Sequence, residues 1–266
     1  MSPFRYSHKA ARARRFAVTI GAALLAACAT THPAGSAVTS LLAPGAPALM
    51  VPPLDDPVSV VPVFIQRATG DTATHLVSRV RITGTAANSG TTLTRDWAPP
   101  FQSSDTLVVD ARTLRPQHEV LAFNHVRREY RYDGARVTGT IQYPDSAPQA
   151  FDKTFDVPVF AFNEVEPLVR SLDYRTVRRI VVPLFSEVDG DLEHDTLSVM
   201  GRDKMAGRDV WVVRFADPVI TTQYLVDAKT RAILDAVTTQ RKAGTRFHYA
   251  YWTPSPSGRD SSHASY

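Results

Sequence analysis

Residues 126–143 read VRREYRYDGARVTGTIQY. Asp133-Gly134 stands between two runs rich in Val, Thr, Tyr and Arg, and Asp-Gly in that setting is a strong signal for a tight two-residue hairpin. The stretch predicts strands over Val126 to Tyr132 and Arg136 to Tyr143. The same grammar continues on both sides. Val58 to Arg67 is apolar, with Pro62 marking an edge or a bulge. Thr72 to Thr85 holds Leu76, Val77, Val80 and Ile82, and Asn88-Ser89-Gly90 turns the chain into Thr91 to Trp97. Thr106 to Val109 and Glu119 to Ala122 precede the hairpin. Phe151 to Val157, Ile180 to Val188, Asp195 to Val199, Val210 to Phe215, Thr221 to Val226, Ala232 to Thr239 and Arg246 to Trp252 follow it. Short extended runs separated by turn signals at roughly 8–12-residue spacing imply an antiparallel sheet or barrel.

One helix is expected among these strands. Asn163 can cap a run through Glu164, Glu166, Leu168, Val169 and Leu172, with acids in the first turn and Arg170 near the end, as the helix dipole favours. Pro167 shortens that helix or delays its start. The fold class is therefore all-β to α+β: a curved antiparallel sheet, or half-barrel, with about one covering helix.

The rest of the chain reads as targeting and tether. Residues 1–15 carry Arg5, Lys9, Arg12, Arg14 and Arg15 and no acid, and Phe16 to Ala27 is an uncharged apolar run. That layout is a secretory signal, and the run is shorter than the roughly 20 residues of a membrane span. The chain has 30 basic and 26 acidic residues and a pI near 9.3. Loss of the five leader cations leaves 25 basic against 26 acidic side chains, so the basicity belongs to the leader. No basic patch interleaved with aromatics remains, and nucleic acid is not expected as a partner. Residues 28–57 are rich in Ala, Pro, Ser and Thr and read as a flexible tether. Within it, Leu41-Leu42 and Leu49-Met50-Val51 are the segments able to pack on the domain. The domains are thus a signal peptide over 1–27, a tether over 28–57, a β domain over 58–253 and a disordered tail over 254–266.

Leu25-Ala26-Ala27-Cys28 resembles the lipobox of bacterial lipoproteins. The resemblance implies cleavage before Cys28, a lipid on its thiol, palmitate-type acylation of the new amino group, and attachment to the membrane. Ala29, where Asp would favour the inner membrane, implies sorting to the outer membrane, facing the periplasm. Cys28 is the only cysteine, so a disulfide and a multi-cysteine zinc site are both excluded. VDARTLRP (109–116) and VDAKTRAI (226–233) share Val-Asp-Ala-basic-Thr. Asp binds turn amides and Thr closes the turn, so each is a hairpin connection. Such a phrase within an antiparallel meander behind a lipobox resembles the LolA/LolB-like carriers and the uncharacterised periplasmic domains that share their half-barrel. That resemblance implies a curved sheet around an apolar cavity. The chain differs from the carriers in having one expected lid helix rather than several and no exposed hydrophobic loop, which brings it nearer the uncharacterised domains.

Chemical motifs are sparse. Residues 187–195, EVDGDLEHD, give Asp189, Asp191 and Glu193 as weak metal candidates, but the EF-hand pattern needs Gly at position six and Glu at twelve, and counting from Asp189 both fail. The bland reading is a polar hairpin loop. His75, His118, His125, His194 and His248 form no HExxH motif. There is no GxSxG elbow and no phosphate-binding glycine loop, so no cofactor is expected. Arg127-Arg128 and Arg178-Arg179 read as solvated faces. Trp97, Trp211 and Trp252 lie on or at the ends of strands, suited to a core or to a cavity wall. The expected function is non-catalytic: binding an apolar or amphiphilic ligand on the concave face, through Trp211, Val213, Phe215, Tyr224 and Val226. The alternatives are a structural or assembly lipoprotein that meets a protein partner, and a hydrolase with a site assembled in space.

Overall fold

The computed structural model describes residues 40–50, 59–85, 90–97 and 103–251, all within one compact unit, Ala37–Tyr266. Cys28, the leader, Trp252 and the tail lie outside the described residues. The hairpin at Asp133 forms, with a shift of one residue: Asp133 pairs with Arg136, so Gly134 and Ala135 make the turn. Gly134 takes φ +61°, a left-handed conformation that glycine adopts without a Cβ penalty.

In chain order the strands are β1 (Ser40–Leu41), β2 (Ser59–Gln66), β3 (Thr72–Thr85), β4 (Gly90–Trp97), β5 (Ser103–Asp110), β6 (Pro116–Phe123), β7 (Val126–Asp133), β8 (Arg136–Gln142), β9 (Gln149–Thr154), β10 (Phe160–Ala161), β11 (Arg179–Ser186), β12 (Asp191–Met205), β13 (Arg208–Ala216), β14 (Ile220–Asp227), β15 (Ile233–Gln240) and β16 (Arg246–Tyr249). A 3-10 turn, Phe162–Glu164, and helix α1, Val165–Ser171, lie between β10 and β11. Two curved halves result. β2 to β9 form one antiparallel meander and β11 to β16 the other. They join where β16 pairs antiparallel with β2, from Arg246↔Gln66 to Tyr249↔Val63. On the far side no ladder joins β9 to β11, so the half-barrel expected from the sequence is what forms: curved, mostly β and not closed.

Side chains close that open seam instead. Phe185 of β11 packs against Tyr130 (5.0 Å between ring centroids) and Tyr132 (5.9 Å) of β7, and against Phe151 of β9 (5.7 Å). Lys153 of β9 donates to the Gly190 carbonyl at 3.1 Å and to Asp191 Oδ1 at 2.8 Å. The interior is lined by cross-strand rungs, whose members share a face. Leu93, Leu107, Glu119, Tyr130, Gly139 and Phe151 follow one another across β4 to β9. Opposite them, Phe215, Thr222, Thr238 and Phe247 cross β13 to β16.

The covering helix starts two residues after Asn163. Glu164, not Asn163, bonds the entering backbone: its Oε2 accepts the Ala161 N–H at 2.7 Å. Pro167, which lacks an N–H and fits the first turn of a helix, lies in the first turn of α1. Leu168, Val169 and Leu172 are fully buried against the sheet.

Part of the stretch read as tether belongs to the folded unit. β1 pairs in parallel with β11, Leu42 is fully buried and its N–H reaches the Val181 carbonyl at 2.8 Å. Met50 donates to the Ser171 carbonyl at 2.6 Å. These contacts satisfy backbone groups that a sheet edge and a helix end would otherwise leave without partners. The region 40–50 is therefore anchored, while the rest of 28–57 lies outside the described residues.

The repeated phrase builds the same turn twice. Asp110 Oδ1 accepts the N–H groups of Arg112 (3.0 Å) and Thr113 (2.8 Å), and Asp227 Oδ1 accepts those of Lys229 (2.9 Å) and Thr230 (2.8 Å). Leu114 and Arg231, the fifth residues of the two turns counted from Asp, both have positive φ, 52° and 65°.

Candidate functional site

Between the two halves, beneath Phe162–Val165, the interior is not filled. A recess of about 200 Å³ is lined by Phe162, Val165, Phe215, Tyr224, Tyr249 and Tyr251, with Arg95 and Glu166 at its side. A second, of about 360 Å³, runs toward the open end past Leu121, Phe123, Glu187, Val188, Ile220 and Phe247. Phe162, Asn163, Ile220, Thr238 and Tyr249 belong to both walls, so the two recesses form one cleft. The volume lies at the lower end of the range typical of small-molecule sites, and its walls have the usual make-up of such sites: apolar and aromatic surface with few polar groups.

Alternation explains the walls. Phe215 and Tyr224 point inward with Val213 and Val226, while Arg214 and Gln223, next to Phe215 and Tyr224 in the chain, point to solvent. The plug supplies the facing wall, because the 3-10 turn projects Phe162 onto Phe215, edge to face at 6.1 Å.

Three polar groups face the smaller recess together. Arg95 Nη2 lies 2.5 Å from Glu166 Oε1, and the Tyr251 hydroxyl donates to the same carboxylate. Burial disfavours the Arg95 charge, but Glu166 beside it prevails and raises its pKa.

Behind Asn163 lies a set of buried acids. Glu119 accepts the Tyr132 hydroxyl on Oε2 at 2.5 Å and Asn163 Nδ2 on Oε1 at 3.1 Å. Glu187 Oε1 accepts the Phe162 N–H at 2.9 Å, and its carboxyl lies close to that of Glu119. Burial raises the pKa of both, and the Glu119 charge raises that of Glu187 further. Burial also raises Glu164, and it lifts Asp105 to about 8 with help from Glu119. Two close carboxyls without a cation between them cannot both ionise at low cost, which pushes both pKa values upward. In the structure these carboxyls act as acceptors, from Tyr132, Asn163, the Phe162 N–H and the Ala161 N–H.

The comparisons with known proteins bear on this frame. Residues 61–244, well over half of the chain, match the model of a family described as "Protein of unknown function (DUF3108)". The chain belongs to the DUF3108 family. Among solved structures, a β-barrel-like DUF1849 protein from Brucella abortus is 11 % identical, with a TM-score of 0.54 over 74 % of this chain and 95 % of that one. A DUF1329 family protein from Desulfovibrio piger is 10 % identical, covering 75 % of this chain and 85 % of that one, with a TM-score of 0.29. No curated protein matches. The first likeness concerns fold alone: this DUF3108 domain shares a barrel-like β architecture with the DUF1849 structure, and the expectation of an uncharacterised barrel-like domain is met at that level.

Of the five residues that the sequence placed on the concave face, Phe215 and Tyr224 line the cleft. Val213 and Val226 are fully buried in the core beyond it. Trp211 sits deeper along β13, with its ring 5.3 Å from Tyr174 and under the Arg202 guanidinium at 4.4 Å. The weak metal candidates are engaged elsewhere or apart: Asp189 accepts the Ser186 hydroxyl at 3.1 Å, Asp191 pairs with Lys153, and Glu193 is half-buried on β12. Among the described residues no group of three or more His, Cys, Asp or Glu is disposed to hold a metal. His118 and His248 bond Glu129 (3.2 Å) and Asp235 (2.7 Å), away from the cleft.

The sequence reading missed Glu119, Glu187 and Asp105, and it misplaced one arginine. Arg127, Arg178 and Arg179 are exposed as expected. Arg128 is 7 % exposed and faces inward. The signal was present in the alternation Arg128, Tyr130, Tyr132 against Arg127, Glu129, Arg131, which puts the two tyrosines and one arginine on one face.

Proposed function

We propose that this chain is a non-catalytic, envelope-anchored lipoprotein that binds an apolar or amphiphilic ligand in the cleft under Phe162. One observation carries the reading: a continuous cleft with aromatic walls inside an unclosed half-barrel. Apolar surface removed from water there contributes about 25 cal/mol per Å², or about 0.8 kcal/mol for each buried CH₂. Glu187, Asn163 and Ser103 supply polar partners along the wall of the larger recess. The anchor rests on Leu25-Ala26-Ala27-Cys28, and the outer membrane facing the periplasm on Ala29.

The test of the cleft is titration with N-phenyl-1-naphthylamine, whose emission rises in apolar surroundings. Saturable enhancement is expected, together with its loss in Ile220→Trp, where the indole occupies the space both recesses share. Enhancement that Ile220→Trp leaves unchanged places binding elsewhere and defeats the reading. The anchor is tested separately by intact mass of the chain extracted from its native membrane. The expected species begins at Cys28 and carries three acyl chains; an unmodified chain, or a cut elsewhere, contradicts it.

A further inference from the structure

Arg128 is the one inward cation of β7, and among the described residues no salt bridge meets its charge. It is 7 % exposed, and its Nε and Nη1 have no hydrogen-bond partner. Its cross-strand neighbours are Leu121 and Ile141, both apolar. Arg127, the preceding residue, points outward to Glu129 at 3.5 Å. Of the inward carboxyls, Glu119 and Glu187 are occupied with the Phe162 N–H, Tyr132 and Asn163, and Asp105, on the same rung beyond Leu121, has Arg95 as its neighbouring cation. Arg95, on the same rung, is bound to Glu166.

The two kinds of buried charge differ in what they require. A buried carboxyl can escape its desolvation cost by taking up a proton. A guanidinium stays charged at any physiological pH, so a buried one needs an anion. Leu121, beside Arg128, is in the wall of the larger recess near Ser103, Phe123 and Glu187. An anionic head beside Leu121 would meet the three N–H donors that Nε and Nη1 leave unmet, and its apolar tail would run inward along Phe123, Phe162 and Ile220.

We propose, resting on the ligand-binding reading above, that the cleft takes an amphiphile with an anionic head, carboxylate or phosphate, held by Arg128. Arg128 is then a binding residue maintained against stability. Removing a buried charge that lacks a partner stabilises a fold, so Arg128→Met raises the melting temperature while it weakens the ligand.

The experiment is calorimetric titration of the full chain with four probes: octyl phosphate, octanol, octylamine and inorganic phosphate. Octyl phosphate is expected to bind about tenfold more tightly than octanol, in line with a charge-assisted pair. Arg128→Met removes that preference, leaves octanol unchanged and raises the melting temperature; Arg128→Lys retains part of it. Octanol or octylamine binding as tightly as octyl phosphate, or a preference that survives Arg128→Met, overturns the inference while the amphiphile reading stands. Inorganic phosphate binding as tightly as octyl phosphate shows a free-anion site and overturns it as well. If none of the octyl probes binds, the ligand-binding reading fails, and this inference falls with it.

Discussion

At Gly139 a single hydrogen decides whether two strands can lie together. A Cβ built there falls 1.9 Å from the Glu129 carbonyl oxygen, a backbone atom that cannot move without breaking the β7–β8 ladder. Gly139→Ala is therefore expected to destabilise the fold by about 2 kcal/mol or more, as overpacking does, measured as a lower urea midpoint. The two turn aspartates act through hydrogen bonds. Asp110→Ala and Asp227→Ala each remove two backbone partners, and each is expected to cost about 1–2 kcal/mol, with the larger loss at Asp227, which is buried and also lies 3.5 Å from Arg208. These aspartates were legible in the sequence, because Asp-x-x-Thr turn chemistry is local. Arg128 was legible only through alternation, since Tyr130 and Tyr132 share its face, and that face is fixed as the inner one only when β7 meets β6 and β8.

At the scale of elements, most strands followed from composition and turn spacing. The exceptions have physical reasons. β12 extends from Asp191 to Met205, well past the predicted Val199, because a register shift between Val199 and Gly201 carries pairing on with β13. β1 and β10 are two residues each and exist only because the edge of β11 offers backbone partners; no local propensity announces such a bridge. The open seam depends on Phe185, around which Tyr130, Tyr132, Phe151 and Phe155 gather. Phe185→Ala should cost about 3–5 kcal/mol, the range for a buried aromatic, and should also weaken amphiphile binding, because the seam holds the cleft's outer wall. Thermal unfolding and titration of the same variant check both.

At the scale of the molecule, several buried carboxyls set how stability depends on pH. Asp195 is 1 % exposed with neither oxygen bonded; burial, then Glu193 and Asp217, raises its pKa to about 7. Asp105 is raised to about 8. A carboxyl whose pKa is higher folded than unfolded holds its proton more tightly in the folded state. Its contribution is full below the unfolded value near 3.8 and falls away as pH rises through 7 to 8. The chain is therefore expected to be more stable at pH 5 than at pH 8.5 by urea denaturation, and Asp195→Asn with Asp105→Asn should flatten that slope. Asp110 and Asp227, whose pKa values are lowered, act in the opposite direction only at more acidic pH. The half-barrel itself was readable from alternation and turns. The cleft was readable in part, since Phe215 and Tyr224 follow from strand position. The acids and Arg128 share an interior only after strands distant in sequence have curved around it.

The central claim is that the space under Phe162 holds the apolar part of an amphiphile. The most direct measurement is a crystal structure of the chain with 10-bromodecanol, read by the anomalous signal of bromine. The account predicts a bromine peak inside the cleft, between Phe162 and the Phe215–Tyr224–Tyr249 wall. A bromine peak only outside the cleft, or a cleft closed by repacked side chains with no bromine in it, would contradict the account.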